Sequence, residues 1–122
     1  MSPCRILVVD DHDATLQLVR DLLEVDGERI VTTAHNAKEA YRLFLDHRPD
    51  VLVLDLMLPG EGGLDIAAQL LEVQPDARIV VYSAHVDDAV RTRAEAIGVR
   101  SCIEKPAVQA LIEQVREHCA AA

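Results

Sequence analysis

Residues 51–63 read Val51-Leu52-Val53-Leu54-Asp55-Leu56-Met57-Leu58-Pro59-Gly60-Glu61-Gly62-Gly63. Four apolar residues lead to a single carboxylate, and a proline and three glycines then break the run. This pattern predicts a buried strand that ends in an irregular loop. Asp55 has two possible roles at the strand end: it can accept hydrogen bonds from backbone N–H groups of the loop, or it can take part in chemistry. The stretch alone leaves both roles open.

The length and composition indicate one α/β domain. A chain of 122 residues fits one domain and can bury roughly two thirds of its unfolded surface without disulfides or metals. Hydrophobic residues make up 50% of the chain, but only Tyr41, Phe44 and Tyr82 are aromatic, so branched aliphatic residues and alanine must build the core. Aliphatic runs that alternate with amphipathic segments favour helices packed against a sheet.

The charge of the chain limits its partners. The formal net charge is −9 and the isoelectric point is near 4.8. Direct binding of nucleic acid or an anionic membrane is therefore not expected, because phosphate contacts need clustered Lys and Arg. Cys4, Cys102 and Cys119 fit neither close metal-ligand spacing nor a disulfide framework, and the N-terminus has no apolar signal segment. These features predict a cytoplasmic protein with reduced cysteines.

Five apolar runs predict five strands, at residues 4–9, 30–34, 51–54, 79–82 and 99–104. The last run has mixed polarity, which indicates an edge strand. A helical pattern follows each strand. The first helix is predicted from Thr15, with Asp13 as N-cap and Gly27 as terminator. The second is predicted to begin with a capping box formed by Asn36 and Glu39.

Strands and helices that alternate in this way form a parallel, doubly wound sheet, because crossovers between parallel strands are right-handed. In such sheets, ligands bind beyond the carboxyl ends of the strands. The polar residues at those ends are Asp10, Asp11, Asp55, Ser83 and Lys105. We therefore expect them to share one site, although they are far apart in sequence.

The expected site contains three carboxylates that repel one another. Two unit charges ~4 Å apart cost about 4 kcal/mol at an effective dielectric near 20, so the site must hold a proton or a cation. The donors are oxygens, with no His or Cys positioned as a fourth ligand, which predicts Mg²⁺, with Mn²⁺ possible. Lys105 and Ser83 would stabilise a phosphoryl group. Asp55 would be the nucleophile, because a carboxylate has no proton to lose before it attacks phosphorus.

Each of these residues also has an ordinary structural explanation. The acids at residues 10–13 can form a solvated loop with a helix cap, and Lys105 can be a surface lysine. However, ten of the twelve basic residues are Arg, and only Lys38 and Lys105 are Lys. The joint placement of the polar residues at four strand ends favours the functional interpretation.

Taken together, these motifs resemble the receiver domain of two-component response regulators. The motifs are Asp10-Asp11, Asp55 followed by Leu56-Met57-Leu58-Pro59-Gly60 and Gly63, Ser83-Ala84, and Lys105-Pro106, each after a predicted strand. The resemblance covers residues 1–122 as one receiver domain. It implies a flavodoxin-like, doubly wound sheet of five parallel strands in the order 2-1-3-4-5, with five helices.

The resemblance also implies a role for each site residue. Mg²⁺ would be held by the carboxylates of Asp10, Asp11 and Asp55 and by the backbone carbonyl of Met57. Asp55 would accept phosphate from the phosphohistidine of a sensor histidine kinase or phosphotransfer protein. Ser83 would hydrogen-bond the phosphoryl group and Lys105 would pair with it. Such a domain is not an enzyme, except that it assists its own phosphorylation and dephosphorylation.

The sequence departs from the family at Cys102. Receivers usually carry Tyr or Phe three residues before the lysine, and that ring turns inward as the hydroxyl residue moves toward phosphate. A thiol lacks the bulk for this movement. We therefore expect the change on phosphorylation to be small, or to be carried by other residues such as His85 or Val86. Met57 and His85 also resemble positions that tune the lifetime of the phosphoryl group.

Three alternative functions remain open at this stage. Asp11-His12-Asp13-Ala14-Thr15 resembles the nucleophile motif of haloacid-dehalogenase phosphatases, but in that family an acidic pair should follow the lysine, and Asp87-Asp88 precedes Lys105. This alternative also leaves Asp55 unexplained. A receiver-like interaction module that works without phosphorylation is a second alternative. A flavodoxin-like nucleotide binder is a third, although no Gly-rich phosphate loop follows the first strand.

The resemblance also implies an output. The expected partners downstream are a protein target or an effector domain outside this chain. The face of the fourth helix, fifth strand and fifth helix, with Arg91, Arg93, Arg100 and Cys102, is the predicted output surface. These arginines can equally be ordinary solvated side chains.

Overall fold

The computed structural model describes residues 3–25, 27 and 29–122. In these residues, strands and helices alternate in the order β1 (Cys4–Val9), α1 (Asp13–Glu24), β2 (Arg29–Ala34), α2 (Ala37–His47), β3 (Val51–Leu54), α3 (Gly63–Val73), β4 (Arg78–Ser83), α4 (Asp88–Ile97), β5 (Ser101–Glu104) and α5 (Val108–Ala121). All strand pairs are parallel, and the sheet order is β2-β1-β3-β4-β5. The predicted fold class and strand order are confirmed, and β5 is an edge strand as expected.

The sheet is buried on both faces, as its aliphatic composition predicts. Successive residues of a strand point to opposite faces, so Leu7 and Val9 of β1 pack into one core, while Ile6 and Val8 pack into the other. Helices α2, α3 and α4 cover the first core, and α1 and α5 cover the second. Each fully buried aliphatic side chain contributes about 1.5–3 kcal/mol. The two cores therefore fix the strand ends that carry the polar residues.

The ends of the first two helices differ in how well the sequence predicts them. The predicted cap of α2 is confirmed, because Asn36 Oδ1 accepts a hydrogen bond from the Glu39 N–H at 2.9 Å. The predicted N-cap of α1, Asp13, is wrong by one position: His12 is the N-cap, and its side chain makes no capping bond. The Asp13 carboxylate instead lies 2.7 Å from Nε2 of His35, so it joins the first turn of α1 to the segment between β2 and α2.

A disulfide joins Cys4, the first residue of β1, to Cys119 near the end of α5. The prediction that the cysteines are reduced is therefore wrong for this pair. The two residues are 115 positions apart in sequence, but their Cα atoms are 5.6 Å apart, because α5 returns to the face of the sheet on which Cys4 packs. Cys102 is a free thiol.

None of the helices in the described part of the chain combines the length and the apolar character that a membrane crossing requires.

Candidate functional site

The polar residues predicted to share a site lie together at the carboxyl edge of the sheet. Backbone hydrogen bonds between neighbouring strands continue past the strand ends: the Asp55 N–H donates to the Val9 carbonyl at 3.0 Å, and the Lys105 N–H to that of Ser83 at 2.9 Å. Asp10, Asp55 and Ser83 are at most 2% exposed, and they are the buried polar or charged residues in the described part of the chain. The sheet thus holds buried polar groups in fixed positions.

The Asp55 carboxylate caps the loop that follows β3, and it also contacts two other predicted site residues. Its Oδ1 atom accepts a hydrogen bond from the Met57 N–H at 3.0 Å, which caps the loop after β3. The same oxygen accepts a hydrogen bond from the Ser83 hydroxyl at 2.9 Å. Its Oδ2 atom accepts one from the Lys105 ammonium at 3.2 Å. The carboxylate is therefore both a loop cap and the meeting point of a hydroxyl and a cationic group.

Glycine shapes the loop around this carboxylate. A Cβ atom on Gly63 would lie 2.5 Å from Cα of Leu56 and 2.9 Å from the carbonyl oxygen of Asp55. Gly60 has φ +88°, in the left-handed region that side chains disfavour. These two glycines allow α3 to begin directly against the end of β3.

Lys105 bridges two buried acids. Its ammonium donates to Oδ2 of Asp10 at 2.7 Å and to Oδ2 of Asp55 at 3.2 Å, and it lies 5.7 Å from the ring centroid of Tyr82. Burial lowers the pKa of Lys105, but the hydrogen bond and charge of Asp10, followed by those of Asp55, outweigh burial and raise it. Lys105 is therefore charged at neutral pH, and it lies between two buried acids rather than on the general surface.

A histidine joins the acids, contrary to the sequence prediction. One potential ligand atom from each of Asp10, Asp11, His12 and Asp55 lies within 4.8 Å of the others. Nδ1 of His12 is 3.0 Å from Oδ1 of Asp10 and 3.0 Å from Oδ1 of Asp11. The expectation that no His is positioned as a fourth donor is wrong, because the His12 N–H bonds to Asp10 at 2.9 Å and turns the chain so that the ring faces the acids. The His that directly follows two aspartates was the available signal.

These groups fit a divalent cation. Three carboxylates face one ammonium, which leaves two uncompensated negative charges that one divalent ion would match. Oxygen donors on a compact loop suit Mg²⁺ or Mn²⁺. Asp11 is the most open of the three acids, with 32% of its side chain exposed. The Met57 carbonyl stays a predicted ligand; the Met57 side chain points away from the core and the residue is 57% exposed.

The region around Cys102 contains a contact that the sequence did not reveal. Cys102 packs against the core formed by α2, α3 and α4, and burial raises the pKa of its thiol although the charge of Arg91 opposes this shift. Arg91 Nη1 donates to the Cys102 carbonyl at 3.0 Å and so joins α4 to β5. Arg93 pairs with Asp65 at 3.2 Å. Two of the arginines assigned to the output surface therefore have partners within the chain.

His35 connects the first turns of α1 and α2 near the site. Its Nε2 atom lies 2.7 Å from Asp13 and its Nδ1 atom 3.2 Å from Glu39. The hydrogen bond with Asp13, followed by that with Glu39, raises the pKa of His35, and the smaller effect of burial opposes them.

The sequence and the fold both match known proteins. The sequence model of a protein family, the response regulator receiver domain, matches residues 6–116. Response regulator GacA of Pseudomonas aeruginosa is 31% identical over 115 residues, which are 93% of this chain and 54% of GacA. Chemotaxis protein CheY of Thermotoga maritima is 28% identical over 102 residues, which cover 84% of this chain and 85% of CheY. This chain thus spans about half the length of GacA.

Among solved structures, a two-component response regulator of the LuxR family from Aurantimonas sp. SI85-9A1 is similar, with a TM-score of 0.89 and 31% identity. The match covers 98% of this chain and 87% of that one. The match to the family model, the strand order and the buried acids at the strand ends all indicate the same family. The chain belongs to the response regulator receiver family.

Proposed function

We propose that this receiver accepts a phosphoryl group on Asp55 from the phosphohistidine of a sensor histidine kinase or phosphotransfer protein. A divalent cation, Mg²⁺ in the first instance, would be held by Asp10, Asp11, Asp55 and the backbone carbonyl of Met57. Receiver domains are signalling modules rather than enzymes, and in this proposal the chain assists only its own phosphorylation and dephosphorylation.

The observation that carries this proposal is the surroundings of the Asp55 carboxylate. One oxygen accepts a hydroxyl hydrogen bond from Ser83 and the other an ammonium hydrogen bond from Lys105, at 2.9 and 3.2 Å. A hydroxyl and an ammonium beside a nucleophilic oxygen are the groups that stabilise charge on a transferring phosphoryl group. A carboxylate that served only as a loop cap would not need either.

The proposed transfer is an in-line displacement at phosphorus. An Asp55 oxygen forms the new O–P bond while the N–P bond of phosphohistidine breaks, and the leaving imidazole nitrogen takes the electron pair of that bond. Lys105 pairs with one oxygen of the phosphoryl group, and Ser83 donates to another. When bound, the cation neutralises the remaining charge. Hydrolysis later returns Asp55 to the carboxylate and releases inorganic phosphate.

The signal is proposed to be a small structural change. The Ser83 hydroxyl already donates to Asp55, so it needs to exchange one oxygen acceptor for another rather than travel to the site. Cys102 offers no aromatic ring to follow it. The Arg91 contact with the Cys102 carbonyl offers a different connection between α4 and β5. Chemical-shift mapping with a phosphoryl mimic should give small changes around this contact; a large change centred on Cys102 would contradict the proposal.

The contacts of Lys105 argue against the phosphatase alternative. That alternative needs Asp11 as the nucleophile, whereas Lys105 bonds to Asp10 and Asp55. Asp11 is also partly exposed, and its carboxylate lies 3.0 Å from the His12 ring. The groups that would stabilise a phosphoryl transition state therefore surround Asp55. The module that works without phosphorylation is best separated from the main proposal by experiment.

The proposed partner beyond the kinase is an effector domain or a separate protein target. Because this chain covers about half of GacA, an effector domain outside it or a separate protein target would carry the output. A cytoplasmic location stays a prediction, and its argument from reduced cysteines no longer holds for Cys4 and Cys119.

The proposal is tested by exposing the protein to a small phosphodonor such as phosphoramidate with Mg²⁺. Intact mass should show one added phosphoryl group on the unmodified protein and on Asp46→Asn, and none on Asp55→Asn. Chelation of Mg²⁺ should abolish the gain. Labelling that survives Asp55→Asn but is lost in Asp11→Asn would support the phosphatase alternative, and no labelling of any variant would support the phosphate-independent module.

A further inference from the structure

His12 occupies a position where another residue type is usual. It is the N-cap of α1, where Ser, Thr, Asp or Asn normally accept a hydrogen bond from the first helical turn. The His12 side chain makes no such bond. Its ring faces the acids at the sheet edge instead, although 66% of the side chain is exposed. Solvent is therefore available to this ring, and its direction toward the acids needs an explanation.

The distances around Nδ1 of His12 match those between neighbouring ligands of one ion. Nδ1 is 3.0 Å from a carboxylate oxygen of Asp10 and 3.0 Å from one of Asp11. In an octahedron with bonds of about 2.1 Å, adjacent ligand atoms are about 3.0 Å apart and opposite ones about 4.2 Å. The group that also includes Asp55 lies within 4.8 Å. This limit is larger than the distance between opposite ligands, so an ion contacts all four residues once the ligand atoms close in by about half an ångström.

The orientation of Asp10 leaves one oxygen for this ion. Lys105 bonds to Oδ2 of Asp10, whereas the His12 ring approaches Oδ1. The lysine and the ring thus use different oxygens of the same buried carboxylate. A cation that joins the ring to Asp10 would not displace Lys105 from its hydrogen bond.

We infer that Nδ1 of His12 is a fourth protein side-chain ligand of the cation site, and that the site takes a first-row transition ion such as Mn²⁺ in preference to Mg²⁺. Mg²⁺ prefers oxygen ligands, whereas an imidazole nitrogen suits first-row ions such as Fe²⁺, Ni²⁺ and Zn²⁺. Mn²⁺ binds most weakly in that series but also accepts carboxylate ligands, so it suits a site of three carboxylates and one imidazole. This inference rests on the proposed function, because it assigns a further ligand to the same site. It goes beyond that function by making His12 the residue that sets metal preference.

Direct spectroscopy of the bound ion separates ligation from a purely structural hydrogen bond. The experiment uses the full chain with Mn²⁺ at about pH 8, where an ordinary imidazole is neutral, and compares the unmodified protein with His12→Ala and His35→Asn. His12→Ala removes no capping hydrogen bond, because the His12 side chain makes none. His35→Asn is the matched control, because it removes an imidazole near the site but outside the four-residue group. Thermal unfolding without metal checks that each variant is folded.

Pulsed electron paramagnetic resonance should detect coupling of Mn²⁺ to a directly bonded ¹⁴N nucleus in the unmodified protein and in His35→Asn, and none in His12→Ala. Calorimetric titration should show that His12→Ala lowers the ratio of Mn²⁺ affinity to Mg²⁺ affinity at least about tenfold. Removal of a residue that only supports a metal ligand already lowers metal affinity by about tenfold or more.

Two results would overturn the inference, and they have different meanings. Mn²⁺ that binds the unmodified protein without ¹⁴N coupling, and with an unchanged affinity ratio in His12→Ala, would remove His12 from the ligands and leave the proposed function intact. No binding of Mn²⁺ or Mg²⁺ to the unmodified protein would remove the cation site, and the proposed function would fail with it.

Discussion

Replacing Asp11 with asparagine is expected to stabilise the metal-free protein. Asp11, Asp10 and Asp55 present ligand atoms within 4.8 Å of one another, and at that separation a pair of like charges costs about 3.5 kcal/mol at an effective dielectric near 20. Lys105 compensates the charges of Asp10 and Asp55, to which its ammonium is bonded, rather than that of Asp11. Asp11→Asn removes two repulsive pairs and keeps an oxygen for the His12 ring.

The net effect is smaller than the sum of the two repulsions. With 32% of its side chain exposed, Asp11 is screened by solvent, and the unfolded chain retains little of the repulsion. We expect about 1–2 kcal/mol of added stability without metal. In saturating Mg²⁺ the stability advantage of Asp11→Asn over the unmodified protein should shrink or change sign. A ligand present at a hundred times its dissociation constant stabilises the protein by about 2.7 kcal/mol, and the variant has lost part of that binding.

The assay is urea unfolding in a chelator and again in saturating Mg²⁺. Asp46→Asn is the control, because Asp46 is an exposed residue of α2 and its replacement changes the net charge by the same amount. Its stability should stay within about 0.5 kcal/mol of the unmodified protein. If Asp11→Asn is no more stable than Asp46→Asn in the chelator, the acids do not repel one another as the site requires.

Three further predictions concern the frame around the site. Gly63→Ala should lower the free energy of unfolding by about 1–3 kcal/mol because its Cβ would meet backbone, whereas Gly62→Ala, which meets the end of a flexible side chain, should cost clearly less in the same urea assay. Reduction of the disulfide between Cys4 and Cys119, or Cys119→Ser, should lower the free energy of unfolding by about 2–4 kcal/mol, since it opens a loop that spans 115 positions. Each kcal/mol corresponds to a fall of about 4 °C in Tm. An unchanged Tm would mean that the bond does not form in solution. The pKa of His35 is raised in the folded state, so its contribution to stability is full below about pH 6.5 and is lost as the pH rises through the pKa of the folded protein. The stability advantage of the unmodified protein over His35→Gln should therefore shrink from about pH 6 to about pH 9. An advantage that grows with pH would contradict the stabilising contacts of His35 with Asp13 and Glu39.

The strand ends were predictable from the sequence because the signal is local. An aliphatic run that stops at an acid marks both a buried strand and its polar end, and the parallel winding then brings Asp10, Asp55, Ser83 and Lys105 to one edge. The capping role of Asp55 is confirmed by its bond to the Met57 N–H, and its chemical role stays a prediction.

The features that the sequence did not predict depend on side-chain direction or on distant packing. The direction of the His12 ring depends on a local turn around Asp10, and no hydrophobic periodicity reports it. The disulfide depends on where the end of α5 packs relative to the start of β1, which the spacing of Cys4 and Cys119 does not encode. The hydrogen bond from Arg91 to the Cys102 carbonyl likewise depends on how α4 packs beside β5.

The central claim is that Asp55 is the phosphoacceptor, and the position of the phosphoryl group in the unmodified protein tests it most directly. The protein is phosphorylated with a small phosphodonor in Mg²⁺ and treated with borohydride, which reduces an acyl phosphate and marks the aspartate that carried it as homoserine. Peptide mapping should find homoserine at residue 55 and unmodified aspartate at residues 10 and 11. Homoserine at residue 11, or at none of the three, would contradict the account.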